Sequence, residues 1–245
     1  MMPRYPLSSN AIQIRNDYER LWQNAKAQLT EGQIDPGPMP DDSSRRWGIS
    51  AIIRPSQGIA AMFANVSAEI RQYVGPSQVI YDEPNLHTTV RSIEFHRTYV
   101  AHDDERVSGY AKILRSIARE FRPLRIHYAG LTADRRGVMA QGWPLGDDLQ
   151  YFRECFHASL RTSGLLTGPE AEAIRETAHV SLVVFSNPLS DSQGLVKFVE
   201  QHRSTDYGIS EASHVELVRY GRTETKANLV LLASICFGAS QMPTN

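Results

Sequence analysis

Two short stretches place a histidine and a hydroxyl on one face of an extended run. In "PNLHTTVRSIEF", residues 84–95, alternation sends Leu86, Thr88 and Val90 to one side and His87, Thr89 and Arg91 to the other. In "AHVSLVVF", residues 178–185, Val180, Leu182 and Val184 oppose His179 and Ser181. An imidazole titrates near neutrality, so two of them facing each other can divide acid and base work. One removes a proton from an attacking hydroxyl or water, and the other gives a proton to the departing oxygen. Thr89 and Ser181, one pleat along, would aim hydroxyl donors at the charged oxygens between them. That is the chemistry of a phosphodiester, and it requires no metal.

His-x-Thr/Ser by itself is a weak signal, because five of the eight histidines satisfy it. His157 lies in a helical pattern, where positions i and i+2 point apart. His202 falls at a helix end, where an imidazole can serve the helix dipole. His96, nine residues after His87, would face the opposite side of an uninterrupted strand. Strand context leaves His87 and His179. Other candidates rest on periodicity alone. Arg91 shares the His87 face and reads either as a phosphate contact or as a solvated strand end. Tyr220, in "HVELVRYG", reads either as a base-stacking ring or as a structural tyrosine. His127 and Trp143 could line a cleft mouth, and Arg135 and Arg136 read as a solvated turn that could steer an anion.

The elements that must position these residues follow from periodicity. Residues 9–30 predict an amphipathic helix with Ile14, Tyr18, Leu21, Trp22, Ala25 and Leu29 on one stripe. The Pro/Gly/Asp/Ser-rich "EGQIDPGPMPDDSSRR" reads as a linker, so residues 1–46 form an extension and 47–245 the compact domain. From Trp47 the expected order is the strand "GISAIIR", a helix over "QGIAAMFANVSAEIRQYV" and the first histidine run. A helix over about 104–120 and a hairpin "LRIHYAGLTADRRGVMAQGWP" come next. A helix over about 147–163, the second histidine run, a helix over about 190–203 and strands "HVELVRYG" and "NLVLLASICF" complete the chain. The two halves thus share an order, a weak internal repeat in which a pseudo-two-fold axis would bring His87 and His179 face to face. The expected class is α+β, bilobal, with mainly antiparallel sheets facing a central cleft and helices outside.

Composition narrows the function. The 245 residues carry a formal charge of −1, which argues against a broad basic surface for long nucleic acid but not against a small nucleotide. Lysine occurs only at Lys26, Lys112, Lys197 and Lys226, and the many arginines suit bidentate phosphate contacts. Cys155 and Cys236 stand far apart with no zinc-type spacing, so neither a disulfide framework nor a structural metal is indicated. No G-x-G-x-x-G, Walker, H-x-H or H-E-x-x-H pattern occurs, which leaves dinucleotide, triphosphate and zinc-hydrolase readings without support. With no long apolar run and no signal-peptide pattern at the start, the reading is cytoplasmic, with no membrane partner.

"NLHTTV" and "HVSLVV" resemble the paired His-x-Thr/Ser-x motifs, each followed by an apolar residue, of the 2H phosphoesterase superfamily. That superfamily includes the bacterial 2′-5′ RNA ligase and cyclic phosphodiesterase enzymes. The resemblance covers about 47–237 and leaves the first 46 residues outside it; serine replaces the commoner threonine in the second motif. It implies a bilobal α+β fold, His87 and His179 as catalytic residues, and Thr89 and Ser181 as phosphate-binding hydroxyls. It also implies no metal or other cofactor, a small nucleotide or RNA end as substrate, and 2′-5′ ligation as a reverse activity. A nucleotide-binding module using the same cleft without turnover is the alternative.

Overall fold

The computed structural model describes residues 6–37, 39–44 and 46–238. The first helix, α1 (Ala11–Thr30), buries Ile14, Tyr18, Trp22, Ala25 and Leu29, the stripe its three-and-four spacing dictates. Five fully buried residues form β1 (Ile49–Ile53), followed by α2 (Gln57–Val74) and the short β2 (Val79–Ile80). A 3-10 turn over Glu83–Asn85 leads into β3 (Thr88–Ser92) and α3 (Glu105–Ala118), whose N-cap Asp104 accepts from Val107 N at 2.9 Å.

The hairpin β4 (Leu124–Asp134) and β5 (Gly137–Pro144) precedes α4 (Asp148–Thr162) and β6 (Val180–Val184). Next come α5 (Ser192–Gln201), capped by the Asp191 side chain, β7 (Asp206–Ala212), β8 (His214–Arg222) and β9 (Ala227–Cys236).

All strand pairs among the described residues are antiparallel, in the order β7-β4-β5-β6-β3-β1-β8-β9, with β2 added beside β6. Two four-stranded halves therefore meet at β3 and β6, but they are not the consecutive halves of the sequence: β4 and β5 join β6, and the C-terminal β8 and β9 join β1 and β3. Each half is covered by helices that cross over. The helix after β1, α2, packs on α5, β6 and β7, while α4, after β5, packs on α3 and β3. The two halves are joined along β3 and β6 by one residue pair, Thr88↔Val180. Where the strands part, a cleft opens. On the outside, α1 lies on β4, β5 and α5, and Trp22, Ala25 and Leu29 join the main apolar core.

One glycine has to be glycine for this junction. A Cβ on Gly142 of β5 would sit 1.7 Å from the carbonyl oxygen of Ala178, the residue before His179. Only a residue without a side chain lets β5 approach the second histidine motif this closely.

Candidate active site

The antiparallel pair Thr88↔Val180 determines what faces the cleft. Continued one residue either way, that register sets His87 across from Ser181 and Thr89 across from His179. Thr88 and Val180 themselves are buried on the opposite face, and Thr88 Oγ1 hydrogen-bonds Tyr128 Oη at 2.7 Å. His87, Thr89, His179 and Ser181 thus form a crossed quartet around the pseudo-two-fold axis. All four line a cleft of about 770 Å³, with Tyr81, Tyr220, Trp47 and Arg175 among the other walls.

His87 is oriented by two partners. Asn85 closes the 3-10 turn and presents its carbonyl to Nδ1 at 2.8 Å; a carbonyl only accepts, so Nδ1 carries the proton. That leaves the Nε2 lone pair toward the cleft, where Tyr220 Oη donates to it at 2.6 Å. Asn85 is itself fixed, its Oδ1 accepting from Leu229 N at 3.0 Å. Burial pushes the His87 imidazole down to about 4 and outweighs the Asn85 carbonyl, which favours the charged ring. His179 is partly open to the cleft and walled by protein elsewhere. Desolvation, then the charges of Arg175 and His87, push it down to about 3. Both rings are neutral at pH 7 in the free protein.

Arg175 is the cleft-lining cation whose charge acts on both imidazoles. It stands in the loop before β6 and lines the cleft, its Nε and Nη2 donating to Glu170 Oε1 at 3.1 and 2.7 Å. Glu170 also accepts from Ser92 N and Ser92 Oγ, which ties the loop to β3. Sequence reasoning missed Arg175 because it lies in an irregular segment with no period; its only signal was its position four residues ahead of His179. Arg136, read as a solvated turn, lines the cleft as well, with its guanidinium on Asp134 at 2.7 and 2.9 Å.

Two expectations are corrected. Arg91 does not face the cleft: it is fully buried, and its Nη2 donates to the carbonyls of Glu170 and Ala173. The reason is a β-bulge. Ala51 pairs with Arg91 and Ile52 with Thr89, so Val90 is an extra residue and the faces exchange beyond it. Ser92 and Glu94 then line the cleft in place of Arg91. Tyr220 reaches the site, but not as an open stacking surface. It is only 8% exposed, its ring packs edge-on against Trp47, and its hydroxyl serves His87 and lies 3.4 Å from Thr89 Oγ1. His127, bonded to Asp206, and Trp143, donating to the Ala129 carbonyl, lie outside the cleft lining.

Among the described residues no group of three or more His, Cys, Asp or Glu side chains is arranged to hold a metal ion. No helix among them is long and apolar enough to cross a membrane.

No protein-family model matches the chain. No curated protein matches it either. Solved structures do. TT0787 of Thermus thermophilus superposes with a TM-score of 0.59 at 12% identity, covering 79% of this chain and 100% of that one. E. coli LigT complexed with 3′-AMP gives 0.52 at 12% identity, over 78% and 98%. A protein described as a phosphoesterase gives 0.50 at 12%, over 79% and 99%. At this identity the likeness is one of fold, and it is the LigT-like α+β fold that the two motifs lead one to expect.

Proposed function

We propose that this protein is a metal-independent phosphodiesterase that opens a cyclic or 2′-linked nucleotide phosphodiester, using His87 and His179 as its acid/base pair. The observation that carries this reading is the crossed quartet, two imidazoles and two hydroxyls on one face about a single strand pair. A phosphate seated on the axis meets an imidazole from each side and a hydroxyl beside each imidazole. One neutral ring takes a proton from water as its oxygen attacks phosphorus; the other, protonated, gives its proton to the departing ribose oxygen. Atoms balance with one water consumed, and the rings exchange roles in the reverse, ligating direction. Thr89, Ser181 and Arg175 stabilise the charge that builds on the non-bridging oxygens. The cleft falls within the range that encloses a small ligand, which supports a mononucleotide or an RNA end over a long strand. The 3′-AMP held by LigT, a protein of the same fold, points the same way.

A second reading, a nucleotide-binding module without turnover, draws on the Tyr220 hydroxyl, which occupies the Nε2 lone pair that a base at His87 must use. Turnover in excess EDTA separates the two. The panel is a nucleoside 2′,3′-cyclic phosphate, a 2′-5′ dinucleotide and an RNA ending in a cyclic phosphate. Chelator-resistant hydrolysis that drops by about 10²–10⁴ in both His87→Ala and His179→Ala is the expected result. Tight mononucleotide binding with no turnover of any ester establishes the binding module instead.

A further inference from the structure

We propose that Arg153, on α4 and outside the cleft lining, is the positioning residue that sets the separation of the two histidine half-sites. This rests on the phosphodiesterase reading of the cleft. Arg153 is fully buried, on the same helical face as Leu149, Phe152, Phe156 and Leu160. A guanidinium in that stripe must find partners for five N–H groups, and here it finds five. Nε donates to Val90 O at 3.0 Å; Nη1 donates to Arg175 O at 2.9 Å and Glu176 O at 3.2 Å; Nη2 donates to Thr89 O at 2.9 Å and Thr177 O at 3.0 Å.

Two of those carbonyls belong to the first motif strand and three to the segment that enters the second. They lie where β3 and β6, joined only at Thr88↔Val180, have begun to part. The Val90 bulge has shifted the β3 register at the same place. The guanidinium therefore takes the place of the missing rungs and holds the strands at the spacing the cleft requires. Its planar fork has a fixed geometry, so it sets a distance as well as a contact. It also fixes the backbone of Arg175, and with it the cleft cation. Burial and the neighbouring Arg175 push the Arg153 guanidinium down to about 9, which leaves it charged at pH 7.

Arg153→Lys and Arg153→Gln test this, with Phe156→Leu as a control that truncates the same helix's buried face and removes no hydrogen bond to either motif strand. Two readouts are taken: the ¹⁵N imidazole signals of His87 and His179 in the free protein, and kcat and KM on a nucleoside 2′,3′-cyclic phosphate. Both Arg153 variants are expected to move both ring signals and lower kcat about a hundredfold, with KM changed far less. Phe156→Leu, even at an equal loss of Tm, should leave the ring signals in place and kcat within about twofold. Wild-type rings and kcat in the Arg153 variants, or an equal kcat loss in the control, overturn the proposal. Should neither Arg153 variant fold, the wild-type guanidinium decides. Resolved, exchange-protected Nη–H signals support the clamp, and a freely rotating group refutes it. Wild type without turnover refutes the phosphodiesterase reading, while the ring signals still decide the clamp.

Discussion

The depressed imidazoles make the pH dependence the most discriminating test of the site. In the proposed mechanism turnover needs one neutral ring and one protonated ring, and burial favours the neutral form of both. With His87 near 4, about one free molecule in a thousand carries its proton at pH 7, and His179, near 3, carries fewer. The profile of kcat/KM reports the free protein, so it should fall about tenfold per pH unit from roughly pH 5 to 8. Two ordinary histidines would instead give a bell with its maximum near 6.5. Inside the complex the substrate's phosphate anion favours the charged ring, so the descending limb of kcat should lie at higher pH than that of kcat/KM. Arg175→Gln supplies the perturbation. The Arg175 cation disfavours protonation of both rings, so its removal should carry the limb toward alkaline pH while KM rises. The assay is hydrolysis of a nucleoside 2′,3′-cyclic phosphate in EDTA at constant ionic strength, from about pH 4.5 to 8.5. A neutral bell in kcat/KM, or a limb that Arg175→Gln leaves in place, would refute the electrostatic argument.

Stability should carry the same signature. The unfolded chain protonates His87 near 6.5 and the folded chain only near 4, so stability is full above pH 6.5 and declines as pH falls toward 4. Urea unfolding at pH 7 and pH 5 should differ by about 2 kcal/mol from this group alone, and His87→Gln should lose that share; an unchanged difference in the variant contradicts the assignment. At the far side of the molecule, Trp22→Ala should cost about 3–5 kcal/mol by thermal or urea unfolding, because Trp22 is only 2% exposed and belongs to the main core. A loss under about 1 kcal/mol would show that α1 is not integral to the fold.

Much of this protein was legible in one dimension. The α1 stripe, the β4–β5 hairpin and the helices α2 to α5 follow from local spacing, because burial of one helical face imposes a period that a sequence displays. The His87/Thr89 and His179/Ser181 pairs were readable for the same reason, since strand alternation places i and i+2 together. Strand β7 was not, because its buried positions, Tyr207, Ser210 and Ala212, keep neither period.

Tertiary structure decided the rest. Whether the two pairs meet depends on the register Thr88↔Val180, a contact between segments about ninety residues apart that no local pattern specifies. Arg91 turned inward because the Val90 bulge answers to the pairing with β1, not to its own sequence neighbours. Arg153, Arg175 and Tyr220 gained their places from carbonyls, carboxylates and an imidazole that only folding brings near. Local sequence carries the period of each element, whereas register and long-range hydrogen bonds arise between elements. Local spacing therefore marks the residues able to do the chemistry, and folding selects which of them face one another.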